Sequence, residues 1–556
     1  MLFINGILLY FITILNQYNC IIVETPLGKV SGNQIDVLSK HVNEFLGIPF
    51  GLPPINEFRF SKPRPTQPWN GIWNATNPRI ACYRTKSKAP PEVQESEDCL
   101  YLNIWTPVNK ENQTLKPVMF WIYGGYFTQG YIDRDGYNGS VLAALGDIVF
   151  VSANYRLDAF GFLYGNNETA PGNVGWYDQN LALQWIQKNI QSFGGDPNSV
   201  TIFGESAGST SVAAHIVSPL SNKLFHRAIL QSGSIYKYQY LHRKNATKEN
   251  NLELAIKMSK AFNCSQNHDQ WLNCLRNIHP KSIVNYTLKN EKFFPIYSNG
   301  SVWDNFMPSE SLANVFQTGN LNKNIDLLFG TVKDEGSFYL TDLIKSDQYL
   351  NFTKQNAMET IHKLINYNEI DNNLISNFYL SHINENDVDG LKSAVATAIG
   401  DFRLTCPTYY LARNYARLSK HHHVYSYQLT HKPTIPFIEN CRGWMGVCHG
   451  DELIFIFGLP LRYPEQYSWI DYYFSLLMIN IWTNFAKTEN PLPINLSGLS
   501  NLNHVSNIKW PHFRELDLDK VIGNYMELHP MRFGNVKHYP HQRSCEGLWE
   551  QFFNQY

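Results

Sequence analysis

Residues 200–203 read Val-Thr-Ile-Phe, a short apolar and β-branched run that predicts a buried strand. Gly204-Glu205-Ser206-Ala207-Gly208 follows at once, and residues 209–217 are compatible with a helix. The same strand character recurs along the chain. Residues 21–30 alternate around a Pro-Leu-Gly turn, which predicts an N-terminal hairpin. Residues 117–123 are apolar on both faces and predict a central, parallel strand that delivers Gly124-Gly125-Tyr126-Phe127 at its end. Residues 97–105 run into another strand, and residues 147–152 and 326–329 supply two more. Residues 178–191 have the spacing of an amphipathic helix, with Leu181, Trp185 and Ile186 on one face. Strands alternating with helices in this way predict an α/β fold: a large, mostly parallel twisted central sheet with helices on both faces.

The chain has 556 residues, and large α/β sheets of this length commonly form one domain. The expected organisation is a signal peptide at residues 1–20, with a single N-terminal anchor the alternative, and a single catalytic domain over residues 21–556. The first segment is mostly apolar, lacks Lys and Arg, and turns polar at Asn16-Gln17-Tyr18-Asn19, too short for a membrane span. Residues 472–482 are also too short to span and predict a core helix, so no stable membrane insertion is expected. With 46 basic against 47 acidic side chains there is no electrostatic footprint for nucleic acid. Ten Asn-x-Ser/Thr sites between Asn74 and Asn495, together with nine cysteines, point to a secreted, extracellular glycoprotein.

A strand, Gly-x-Ser-x-Gly and a helix in succession make the nucleophile elbow of an α/β-hydrolase. Ser206 would sit on a sharp turn, and Gly204 and Gly208 would let neighbouring segments pass close by. The Ala207 N–H would face the oxygen that gains charge when Ser206 attacks a carbonyl. With Gly and Ser each near 7 % of residues, a chain this long has about a 10–20 % chance of holding the bare motif by accident. The partners therefore decide. A serine hydroxyl needs a base to take its proton and a third group to orient that base, in the chain order Ser, Asp or Glu, His.

Specific resemblance begins at Gly172-Asn173-Val174-Gly175 and runs through Asp178-Gln179, Ala182-Leu183-Gln184-Trp185-Ile186 and Phe193-Gly194-Gly195-Asp196-Pro197 to Gly208. With Glu97-Asp98-Cys99-Leu100-Tyr101-Leu102-Asn103-Ile104-Trp105 and Asn154-Tyr155-Arg156, these runs resemble the cholinesterase/type-B carboxylesterase family over nearly the whole mature chain. The resemblance implies Ser206 as nucleophile, Glu335 as acid and His449 as base, with Asp334 a rival carboxylate for the acid's role. It implies an oxyanion hole from the N–H groups of Gly125, Tyr126 and Ala207, each donor worth roughly 2.7–4 kcal/mol in the transition state. The family usually has a glycine where this chain has Tyr126, and at positive φ a tyrosine would cost on the order of 1–2 kcal/mol. Glu205, Tyr137, Phe338 and Trp444 match substrate-lining positions, and Arg59 with Glu97 and Arg156 with Asp178 match framework ion pairs.

The family's three bridges fall at Cys82–Cys99, Cys264–Cys274 and Cys406–Cys545. Cys441 and Cys448 flank Trp444 just before His449, and a fourth bridge between them would brace the histidine loop, with two reduced thiols the alternative. Cys20 leaves with the signal or lies at its boundary. No cofactor is expected, and no metal, because no second Cys/His pair has ligand spacing.

The expected reaction is hydrolysis of a small-molecule carboxylic ester through an acyl-enzyme, by a monomer or homodimer. Residues 83–98 contain no aromatic except Tyr83, and the position aligned with the choline-binding tryptophan of acetylcholinesterases falls near Ala89. Lys289-Asn290-Glu291 stands where acyl-pocket phenylalanines would be. A general carboxylesterase is therefore expected over a cholinesterase, with a catalytically weak binding or adhesion protein as the reading from another class.

Overall fold

The computed structural model describes residues 19–553 apart from 79, 86–92, 109–113, 237–246, 265–267, 298–303, 342, 344–350, 365–370, 420, 493–507, 514–515, 518–519, 522 and 539–540. The expected signal peptide falls mostly on residues 1–18, outside the described residues, and so does Ala89.

Apolar runs become the strands of one 13-stranded sheet. In chain order they are β1 (Asn19–Thr25), β2 (Gly28–Val37), β3 (Lys40–Pro49), β4 (Tyr101–Pro107), β5 (Lys116–Ile122) and β6 (Val149–Ala153). They continue as β7 (Gly195–Glu205), β8 (Arg227–Gln231), β9 (Asp326–Val332), β10 (Val424–Leu429), β11 (Asn524–Leu528) and β12 (Val536–His538). Across the sheet the order is β1-β2-β3-β4-β6-β5-β7-β8-β9-β10-β11-β12, with Ile72–Asn74 paired onto β2. From β6 to β11 every neighbouring pair is parallel, while β1 to β4 and β12 pair antiparallel. The predicted hairpin is β1 with β2, and the strand read as apolar on both faces is β5, flanked by β6 and β7. Cys20 lies on β1, exposed and opposite Asn33.

Among the described residues, helices α1 (Val174–Asn189), α2 (Ala207–Val217), α4 (Cys406–Leu418) and α5 (Trp469–Thr488) pack against the sheet, and α3 (Val388–Gly400) packs on the short helix Ser337–Thr341 that follows Glu335. The helix expected over 178–191 starts earlier, at Val174, and gives way to a 3-10 turn at Ile190–Phe193. It is not amphipathic. Trp176, Asp178, Gln179 and Leu183 are buried along with the predicted face, because Gln179 and Trp176 bond to Ser211 of α2 and Asp178 pairs with Arg156. The apolar run at 472–482 is the middle of α5, with Phe474, Leu477, Met478, Ile481 and Trp482 buried against the sheet.

Both framework ion pairs form. Arg59 meets Glu97 at 2.6 Å and Arg156 meets Asp178 at 2.7 Å, each through two guanidinium nitrogens inside the protein. Such bidentate pairs fix orientation, since burial offsets much of their Coulomb energy. Four disulfides are present: Cys82–Cys99, Cys264–Cys274, Cys406–Cys545 and Cys441–Cys448.

Candidate active site

Parallel strands place their following loops at one end of the sheet, where ligands bind in open α/β folds. Four of those loops, after β5, β7, β9 and β10, carry the candidate residues. At the end of β7, Ser206 adopts φ 58° and ψ −118°, and α2 starts at the next residue. A Cβ on Gly208 would stand 1.9 Å from the Ile122 carbonyl oxygen, and one on Gly204 2.5 Å from Gly208, distances no side chain tolerates. The two glycines therefore let β5 pass against the elbow. The turn is pinned by the Ser206 N–H, which donates to the Gln231 carbonyl at 2.9 Å.

The loop after β5 turns sharply, with Gly125 at φ 118°, Tyr126 at φ 64° and Phe127 at φ 57°. The Gly125 carbonyl accepts from Thr128 and Gln129 at 3.1 and 3.0 Å, which closes the turn. Tyr126 thus occupies the left-handed region that glycine takes without cost. Its ring lies edge-on to Phe294 at 6.1 Å and tilted to Tyr339 at 6.4 Å, with its hydroxyl 3.5 Å from Arg403 Nη1.

Glu335 follows β9. Its Oε1 accepts the Val332 N–H at 3.0 Å and its Oε2 lies 2.7 Å from His449 Nδ1. Asp334 is engaged elsewhere: its Oδ2 accepts the Val447 N–H at 2.9 Å, and its own N–H donates to the Val447 carbonyl at 3.0 Å. One carboxylate orients the imidazole, and its neighbour ties down the loop that presents it.

The other imidazole nitrogen stands beside a second carboxylate. His449 Nε2 lies 2.9 Å from Glu205 Oε1, at an angle that leaves both atoms without a formed hydrogen bond. Among the described residues no hydrogen bond joins Ser206 to His449. Burial alone would lower the imidazole pKa, but the charges of Glu205 and Glu335 outweigh it and raise it to about 10. The resting site therefore favours an imidazolium held between two carboxylates.

A third carboxyl, Glu452, stands behind these two, and no sequence motif points to it. It is fully buried, and its Oε1 accepts from Gln231 Nε2 at 3.0 Å, while Gln231 Oε1 accepts from Trp482 Nε1 at 3.1 Å. Burial, reinforced by the charges of Glu205 and Glu335, pushes its pKa up to about 8. A subtler signal does exist in the chain: an acid opening the apolar run Leu453-Ile454-Phe455-Ile456-Phe457 has no solvent to face.

The remaining lining residues divide. Tyr137 is buried against Trp121 and Phe437, and the ring of Phe437 borders Gly450, beside Glu205. Phe338 meets Tyr339 edge-on, and the Tyr339 ring stands 6.0 Å from that of His449. Trp444 packs with Cys441, Met445 and Cys448 in a small cluster on the bridged turn ahead of His449.

Comparison with known proteins identifies the family. Residues 19–546 match the carboxylesterase family. Acetylcholinesterase-1 of Trittame loki is 36% identical over 499 residues, covering 84% of this chain and 86% of that protein. Cholinesterase of Mus musculus is 36% identical over 494 residues, covering 84% and 79%. The acetylcholinesterase of Bungarus fasciatus is 36% identical over 497 residues, covering 86% and 80%. The chain belongs to the carboxylesterase family, with the α/β-hydrolase fold. It is a serine hydrolase acting on carboxylic ester bonds.

Proposed function

We propose that the protein is a secreted carboxylesterase in which Ser206, His449 and Glu335 form the catalytic triad. The observation that carries this reading is the 2.7 Å contact between buried Glu335 and His449, on loops at the same end of the sheet as the Ser206 elbow. His449 Nε2 turns from Glu205 toward Ser206 and takes its proton as the Oγ attacks the ester carbonyl. The N–H groups of Gly125, Tyr126 and Ala207 hold the oxyanion. The alcohol departs with the proton from His449, and water repeats the sequence to release the acid. Glu335 fixes the imidazole tautomer throughout. Four disulfides and the Asn-x-Ser/Thr sites support secretion, and among the described residues no helix is long and apolar enough to cross a membrane.

Cholinesterase activity is the second reading, favoured by the names of the relatives. Against it stand the lack of aromatics in residues 84–98 and the polar Lys289-Asn290-Glu291. A fluorophosphonate probe separates the triad from other serines. The expected result is one adduct, on the peptide containing Ser206, absent in Ser206→Ala. Labelling that persists in Ser206→Ala, or no labelling of the native protein, contradicts the assignment.

A further inference from the structure

The opposite end of the sheet holds a second cluster of chemically competent side chains. β9 begins at Asp326, His423 immediately precedes β10, and Glu489 caps the C-terminus of α5 at φ 68°. We propose that Asp326, His423 and Glu489 form a binding site for a divalent transition metal, with Zn²⁺ the ion best matched to the donors.

Asp326 Oδ1 lies 3.2 Å from His423 Nδ1 and 3.7 Å from His422 Nδ1. One ligand atom each from Asp326, His423 and Glu489 all fall within 4.8 Å of one another. Metal–ligand bonds of about 2.0–2.2 Å in a tetrahedron put ligand atoms roughly 3.3–3.6 Å apart, so Asp326 already stands at about that spacing from both imidazoles. The His423 Nδ1 atom is shielded from solvent and forms no hydrogen bond; it stands 3.2 Å from the Asp326 carboxylate, a gap that a bound cation would bridge.

Each ligand is braced. Asp326 is 5% exposed and its Oδ1 accepts the His423 N–H at 2.8 Å. Arg227 Nη2 holds Glu489 Oε1 at 3.0 Å, which fixes the carboxylate and leaves Oε2 for the metal, as outer partners of metal ligands do. The His512 ring stacks on His423 at 4.7 Å and 20°. The His423 and Glu489 side chains are 43% and 48% exposed, so solvent reaches the cluster. Mixed imidazole and carboxylate donors select Zn²⁺ or Cu²⁺ over Mg²⁺ or Ca²⁺.

The sequence alone argues against a metal because no second Cys/His pair has ligand spacing. The missing ligands come from residues 97 positions before and 66 after His423, brought there by strand pairing and a helix cap. The site lies at the start of β9, whereas Glu335 follows its end, so the metal would clamp β9, β10 and α5 without touching the ester chemistry.

The test uses the full-length, untagged secreted protein, stripped with a chelator and titrated with Co²⁺ and then Zn²⁺. The expected result is one Co²⁺ per chain with the visible absorption of a low-coordinate site, displaced by Zn²⁺, and a higher thermal midpoint with Zn²⁺ bound. His422→Ala/His423→Ala and, separately, Glu489→Gln should weaken Zn²⁺ binding at least tenfold while ester turnover stays unchanged. Absence of stoichiometric binding by the native protein, or equal affinity in the histidine double variant, would overturn the proposal and leave an Asp–His ion pair.

Discussion

His449 Nε2 stands 2.9 Å from Glu205 Oε1, so the nitrogen that would serve Ser206 in the proposed triad is presented to a carboxylate. In that proposal Glu205 sets the proton affinity of His449. With Glu335 on the opposite nitrogen, the imidazole pKa is raised to about 10 despite its burial. Only the unprotonated form accepts the Ser206 proton, so kcat/KM rises with pH through this titration. Glu205→Gln removes one of the two raising charges, and the acid limb of the pH–rate profile should move at least about one unit lower. Steady-state profiles for a neutral ester check this, and an unmoved limb would show that Glu205 does not control the base.

Glu452 gives a pH effect on stability rather than rate. Its folded pKa of about 8 lies above the ordinary value of 4.5, so between these limits the folded protein binds more protons than the unfolded one. Stability carried by the protonated carboxyl is full below about pH 4.5 and is lost as pH rises through about 8, with a slope no steeper than about 1.4 kcal/mol per unit. Glu452→Gln keeps an acceptor for Gln231 and should flatten this slope. Denaturant unfolding at pH 5 to 9 measures the difference between the two proteins.

Tyr126 separates strain from bulk. Tyr126→Ala removes the ring but keeps a Cβ at φ 64°, whereas Tyr126→Gly removes both. The glycine variant should recover about 1 kcal/mol relative to alanine, less glycine's own entropy cost. Both should raise kcat/KM for long acyl chains relative to short ones, because the ring stands among Phe294 and Tyr339 beside the oxyanion loop. A chain-length series of p-nitrophenyl esters, with thermal melts, checks both effects.

Cys441–Cys448 closes a seven-residue separation across the turn that presents His449. Replacing both cysteines by serine should cost up to about 2–3 kcal/mol of stability through the freed unfolded chain. Because the Asp334–Val447 hydrogen bonds also hold this loop, kcat should fall more than KM rises. Free thiols at both positions in non-reducing peptide maps of the native protein would contradict the bridge.

Much of the frame is legible in the sequence because its signals are local. The β-branched run before Gly204 and the two-sided apolar run before Gly124 are strands at those places. The N-terminus of α1 is not legible, because Val174 and Gly175 are poor helix formers and tertiary packing overrides that propensity. The family pattern selects Glu335 and His449, but no sequence period reports that Nε2 faces Glu205 or that Glu452 stands behind both. Those are long-range facts of where loops after β7, β9 and β10 converge. The same holds for Asp326, whose histidine neighbours come from a different strand.

Ser206-dependent ester hydrolysis with the selectivity of a carboxylesterase is tested by turnover of short- and long-acyl p-nitrophenyl esters and of acetylthiocholine, comparing the native protein with Ser206→Ala. The expected result is hydrolysis of the simple esters, little turnover of the thiocholine ester, and a loss of at least about 10³-fold in Ser206→Ala. Rates equal to those of Ser206→Ala on every substrate would contradict it.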